Sequence, residues 1–299
     1  MREESLRVQV EGHLLHRLVL HPEDTMPVCA EAIFYHGQGD YAERYLDVLH
    51  PFTNRGVRCT ITELPGHGRS PGKRGHCGDV DLLDSIIRDT LGAIVSRGNL
   101  PYGVMGHSMG GLLAARHLVL AGQGRLPIPR FAWLSSPLLE PGHDRAPFFL
   151  MCSRLLAPLL PSLTCSTGVV REACSSTSEE KQKEAGCATD EPSSSAPKHQ
   201  LWHNRISLGW AITLLDFAEL LSQKIGEIPE AIPLLYTQGG QDPVCPPELA
   251  RDIFARLPNQ TKRYEELDDM RHEPFRGAGS QHLFATLNDW LESLKLHKV

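Results

Sequence analysis

The sequence predicts an α/β protein with a mostly parallel central sheet, helices on both faces and an inserted helical cap. Three observations lead there. Apolar strand-like runs alternate with helix-period segments up to about residue 137 and again after 230. Glycine-rich turns follow the ends of several of those runs. Between them the beat breaks once, over a stretch too long and irregular for an ordinary connection.

Taken in order, "LRVQVEGHLLHRLVLHP" alternates around a central glycine and predicts a β-hairpin. His13 and His16, three apart on a strand, point to opposite faces and make a poor metal pair. "AIFY" is a strand running into "HGQGD", and residues 42–54 read as helical. "VRCTITE" is a further strand, ending in the turn "LPGHGRSPGKRGH". From Asp81, Leu82, Leu83, Ile86, Ile87, Leu91, Ile94 and Val95 recur at helical spacing. "YGVM" (strand), "SMGGLLAARHLVLAG" (helix) and "RFAWLSSP" (strand) complete the first half. After the break come the strand "IPLLYTQGG", the helix "PPELARDIFARL" and the strand "TKRYEELDD". A last helix carries Leu283, Phe284, Leu287, Trp290, Leu291 and Leu294 on one stripe.

The expected organisation is therefore a core of residues 1–136, a cap over 137–228, and the rest of the core over 229–299. The cap opens greasy and proline-broken ("PFFLMCSRLLAPLLPSL") and closes on a helix with Ile206, Trp210, Leu214, Phe217 and Leu221 on one face. Its Ser-rich middle, about 164–200, is expected to be its least ordered part. Most of the greasy stretch is expected to pack on the core, leaving a few residues for an acyl pocket or a membrane or micelle surface.

Composition excludes several classes. Net charge is −6 with no basic block, which argues against nucleic acid. Eight scattered cysteines without C-x-x-C spacing suggest free thiols in a reducing compartment. The charged N-terminus has no apolar signal region, and no apolar run reaches spanning length, so a cytoplasmic protein is expected. No H-E-x-x-H or Cys/His cluster calls for a metal, and "GHGRSPGKR" lacks the spacing of a phosphate loop.

The chemistry centres on "MGHSMGG". A serine between glycines is common in tight turns, and alone it carries little. A serine hydroxyl is a poor nucleophile until a base takes its proton, and the base needs a carboxylate to fix its tautomer. The sequence offers both in the chain order nucleophile, acid, base: Ser108, then Asp242 after "IPLLYTQGG", then His272 after "TKRYEELDDM". Each sits at the predicted C-terminal end of a strand, where open α/β sheets place their sites. The amide of Met109, opening the helix after Ser108, and that of Gln38 in the "FYHGQGD" loop would then face developing oxyanion charge.

The blocks "YHGQGDYAERY", "ELPGHGRSPGKRGH", "MGHSMGG", "LSSP", "QGGQDPVCP" and "MRHE" together resemble the monoacylglycerol lipase and lysophospholipase group of α/β-hydrolases, with proline iminopeptidase-like serine hydrolases as close relatives. The resemblance covers about residues 8–137 and 230–296. It implies Ser108 as nucleophile, Asp242 as acid, His272 as base, and the Gln38 and Met109 amides as oxyanion hole. It also implies that His36, Asp40, Arg44 and His107 shape the polar end of a substrate pocket, Asp40 standing where those proteins carry Glu. Glu63 likewise stands where Asp is frequent, in a segment read as structural. The implied activity is hydrolysis of a carboxylic ester of a single-chain lipid, without cofactor or metal. Two alternatives remain open: an aminopeptidase whose acidic clamp would come from Glu172, Glu179, Glu180, Glu184, Asp190 or Glu191, and a non-catalytic binding protein on the same fold.

Overall fold

A computed structural model describes residues 1–140, 154, 156–167, 201–277 and 279–296. Eight strands form one sheet in the order β1-β2-β4-β3-β5-β6-β9-β10. The hairpin β1 (Arg2–Val10) and β2 (His13–His21) is antiparallel and also pairs antiparallel with β4 (Val57–Thr62). From β4 onward the ladder is parallel through β3 (Ala30–Tyr35), β5 (Tyr102–His107), β6 (Phe131–Ser135), β9 (Leu234–Gly239) and β10 (Lys262–Leu267). The central strands are buried along their whole length, as a sheet covered on both faces requires.

Helices α1 (Leu46–Thr53) and α6 (Ser280–Leu294) cover one face. There Phe52, Phe131, Trp133 and Trp290 pack ring against ring beneath Leu283 and Leu287. Helices α2 (Val80–Val95), α3 (Met109–Gly122) and α5 (Pro247–Arg256) cover the other, with α4 (Leu208–Lys224) packed outside α3. Helix α3 is apolar almost all round because it lies between the sheet and α4. Its one charged residue, Arg116, forms a two-pronged pair with Asp84 on α2, at 2.9 and 2.7 Å.

The site's location follows from topology. The chain leaves β3 for β4 on one side and later enters β5 on the other, so strand order reverses between β3 and β5. The loops after these two strands diverge and leave a crevice at the carboxyl edge. Tyr35 pairs with Gly106 there, which brings the "HGQGD" loop beside Ser108.

Outside the main sheet, β7 (Thr164–Ser166) and β8 (Arg205–Ser207) make a small antiparallel pair leading into α4. Ile206, expected on the helix, lies in β8 instead: Ser207 caps α4 by accepting from the Trp210 amide, so the helix starts at Leu208, just beyond it. Residues 168–200, most of the Ser-rich segment and all of the alternative acidic clamp, lie outside the described residues. So does "FFLMC". Five cysteines among the described residues are free. No helix among them is long and apolar enough to cross a membrane.

Candidate active site

Ser108 sits on the turn from β5 into α3 with φ 56° and ψ −121°, a conformation that costs a non-glycine residue about 1–3 kcal/mol. Its surroundings hold it there. The Ser108 amide donates to the Ser135 carbonyl at 2.9 Å, and its own carbonyl accepts from Leu112 and Leu138. The flanking glycines are a steric necessity: a Cβ on Gly106 would strike the Gly110 carbonyl, and one on Gly110 the Tyr35 carbonyl.

His272 arrives on the loop after β10, tied to the Asp242 loop by Gln241 N–H donating to the Met270 carbonyl at 2.9 Å. Its Nε2 lies 2.8 Å from Ser108 Oγ and its Nδ1 2.8 Å from Asp242 Oδ2. The carboxylate is fully engaged. Oδ1 accepts from the Val244 and Cys245 amides at 2.8 and 2.9 Å, and Oδ2 also accepts from Gln238 Nε2 at 2.9 Å. With the imidazole proton on Nδ1 and aimed at Asp242, Nε2 is left to accept from the serine hydroxyl. All three side chains are buried. Burial works against a charged His272, but Asp242, with Glu273 and Asp40 farther off, outweighs it and raises the pKa above the ordinary imidazole value.

Met109 is the first residue of α3, so its N–H has no carbonyl one turn back and points out of the helix end. Gln38 lies across the crevice on the loop after β3. Its side chain turns toward the cap, Nε2 donating to the Arg205 carbonyl and Oε1 accepting from Trp210 Nε1.

The cavity above Ser108 has a volume of about 90 Å³. Its wall includes His107, Asp40 and Glu273 on the core side and Thr167, Trp202, His203 and Asn204 on the cap side. His107 packs 4.9 Å from the His272 ring, and burial together with His272 and Arg44 holds its pKa well below the usual range, so it is neutral. The structure places His36 and Arg44 behind this wall rather than on it. His36 spends both ring nitrogens on backbone, Nδ1 donating to the Gly37 carbonyl and Nε2 accepting from the Leu64 amide. Arg44 is buried between two carboxylates, 2.8 Å from Asp40 and 2.6 Å from Glu273. Tyr45 completes the support, donating to Asp40 at 2.6 Å and accepting from the Gly37 amide at 2.9 Å. Glu63 is likewise internal, accepting from the Ala42 and Arg69 amides and pairing with His16.

Sequence reasoning did not single out Glu273, Gln238 or the cap residues. Only Glu273 carried a signal, its place directly after the candidate base. Among the described residues, Asp242, Cys245 and His272 are the group with metal-ligand chemistry, their ligand atoms within 4.8 Å of one another. Asp242 and His272 already use those atoms on each other, so a metal would compete with the hydrogen-bond chain.

Residues 27–277 match the family model described as serine aminopeptidase, S33. The chain is 24% identical over 263 residues to the monoacylglycerol lipase of Mycolicibacterium smegmatis, covering 87% of each. It is 26% identical over 258 residues to phospholipase YtpA of Bacillus subtilis, covering 85% of this chain and 92% of that one. It also aligns at 25% identity with an uncharacterized abhydrolase domain-containing protein of Dictyostelium discoideum, of which it spans 26%. Among solved structures it superposes on the monoacylglycerol lipase of Paleococcus ferrophilus with a TM-score of 0.76 at 24% identity, covering 94% of this chain and 99% of that one. The fold is that of the α/β-hydrolases, and the chain belongs to the serine aminopeptidase S33 family.

Proposed function

We propose that the protein is a serine hydrolase cleaving carboxylic esters of single-chain lipids, as a lysophospholipase or monoacylglycerol lipase, through an acyl-Ser108 intermediate. The observation that carries this reading is the unbroken chain Ser108–His272–Asp242, at 2.8 Å in both links, beside the open N-terminus of a buried helix. Ser108 Oγ attacks the ester carbonyl while its proton passes to His272 Nε2. The tetrahedral oxyanion is held by the Met109 and Gln38 amides. Collapse expels the alcohol, which takes the proton from Nε2, and a water repeats the steps on the acyl-enzyme to release the fatty acid. Asp242 keeps the imidazole oriented and stabilises its charged form.

The polar wall supports a choice of head group. Asp40 and Glu273 present two carboxylates to the single guanidinium of Arg44. Burial raises the Glu273 pKa and Arg276 acts on it as well as Arg44, so the wall is close to neutral and suits an uncharged glycerol or a zwitterionic head. The relatives named monoacylglycerol lipase and phospholipase agree with a lipid ester as the substrate. The reading places the enzyme in the cytoplasm, with the cap meeting a membrane or micelle transiently. Leu159, 77% exposed, and Leu156, Leu160 and Leu163 give that contact an apolar surface.

The test is labelling by a fluorophosphonate, followed by hydrolysis of 1-monoacylglycerol and lysophosphatidylcholine of one chain length. The expected result is an adduct on Ser108 and ester turnover that Ser108→Ala abolishes. An unlabelled serine would leave a binding protein, and turnover of aminoacyl amides in place of esters would make it an aminopeptidase.

A further inference from the structure

The loop that would offer the Gln38 amide is closed by one backbone bond of its own, Asp40 N–H donating to the Gly37 carbonyl at 3.2 Å. Gly37 and Gly39 flank Gln38, and Gly39 adopts φ +78°. On the inside the loop is pinned by Tyr45, which bonds both the Gly37 amide and Asp40. On the outside, among the described residues, three bonds come from the cap. Trp210 Nε1 donates to Gln38 Oε1 at 2.9 Å, Gln38 Nε2 donates to the Arg205 carbonyl at 3.0 Å, and the His203 amide donates to the Gly39 carbonyl at 3.0 Å.

The clamp itself is anchored. Trp210 is fully buried in the first turn of α4, Ser207 N–H donates to the Gly75 carbonyl at 2.9 Å, and His76 bonds the Ser207 hydroxyl at 2.8 Å. Cap backbone lies so close that a Cβ on Gly39 would collide with the His203 carbonyl and one on Gly75 with that of Arg205. The contact is therefore tightly fitted on both sides, and both ends of the Gln38 amide side chain are spent on it.

We infer that the returning segment of the cap, residues 203–210, holds the oxyanion loop in register, with Trp210 as a positioning residue that acts through the Gln38 side chain. This rests on the serine-hydrolase reading above. An oxyanion donor works only within hydrogen-bond range of where the charge develops, and a displacement of about 1 Å can cost on the order of 100-fold. A cap loosened at Trp210 should thus slow the chemistry while leaving ground-state binding of a short ester intact.

The experiment is a double-mutant cycle of Trp210→Phe and Gln38→Ala in the full chain. Its readouts are kcat and KM for p-nitrophenyl butyrate and inhibition by a trifluoromethyl ketone, whose adduct places an oxyanion in the same hole. Each single variant is expected to lower kcat about tenfold, with KM changed less than about twofold. Ketone affinity should weaken in parallel, and the double variant should be no slower than either single. Costs that multiply in the double variant, or a ketone affinity that stays put while kcat falls, would overturn the inference by showing a merely structural role. Should Trp210→Phe fail to fold, Gln38→Ala at a half-buried position decides: undiminished kcat overturns it. A wild type without ester turnover sinks the functional reading and this inference together, whereas an active wild type with additive variants sinks this inference alone.

Discussion

Asp242 and Glu273 lie on either side of the question of what sets the basicity of His272. Asp242 touches the ring, and Asp242→Asn keeps the shape of the contact while offering an amide where Nδ1–H needs an acceptor. By analogy with the acids of other triads, kcat should fall about 10⁴-fold. Retained turnover would transfer the role to Asp268 or Asp269, on the loop after β10 that carries His272. Glu273 acts at longer range, through charge. On the proposed mechanism His272 must be neutral to accept the serine proton, so a raised pKa moves the acidic limb of kcat/KM above the ordinary imidazole value of about 6.5. Removing one of the negative charges that raise it should move that limb the other way. Glu273→Gln is therefore expected to shift the limb to lower pH in a kcat/KM–pH profile. An unmoved limb would mean that Arg44 neutralises Glu273 too completely for its charge to be felt at His272.

At the scale of elements, the turn between β5 and α3 and the helix α2 give glycine opposite meanings. Gly110 is wedged against the carbonyl of Tyr35, so Gly110→Ala must push helix from strand, at a cost of about 1–3 kcal/mol. Gly92 lies on the exposed side of α2 with nothing near the position a Cβ would take. There Gly92→Ala should stabilise by about 0.5–1 kcal/mol through helix propensity. The urea midpoint should fall for the first variant and rise for the second, and equal shifts would refute the packing argument. The same turn shows what the sequence makes legible. Strand, loop and helix leave periodicities of 2 and 3.6, and a parallel sheet collects its strand ends on one edge. Ser108, Asp242 and His272, each at such an end, could be read from order alone. Glu273 reaching Arg44 from 229 residues away, and Trp210 reaching Gln38 from 172, could not, because no local pattern records a tertiary contact. His36 and Arg44 were legible as special positions, but sequence could not separate lining a cavity from bracing its wall. Ile206 misled for a related reason: one apolar residue before a cap satisfies helical spacing as well as a strand.

At the scale of the whole molecule, the reading is of a rigid core carrying the hydrogen-bond chain and a cap that closes one side of it while turning apolar residues outward. Leu156, Leu159, Leu160 and Leu163 fall within one short stretch, and each is 45% exposed or more. On the membrane-contact proposal, this surface brings the cavity to a substrate that resides in a bilayer. Each leucine entering the interface would contribute about 1 kcal/mol, from roughly 25 cal/mol per Å² of apolar surface removed from water. Four together would raise vesicle affinity by two to three orders of magnitude, enough to matter yet weak enough for release. Replacing Leu159 and Leu160 by serine touches neither the cavity wall nor the clamp on the oxyanion loop. The double variant should therefore hydrolyse dissolved p-nitrophenyl butyrate at the wild-type rate. On monoacylglycerol carried in phosphatidylcholine vesicles it should lose about tenfold or more in turnover, with the same loss in co-sedimentation. Equal losses on both substrates would assign the leucines to cap packing, and no loss on either would move the membrane contact to another part of the cap.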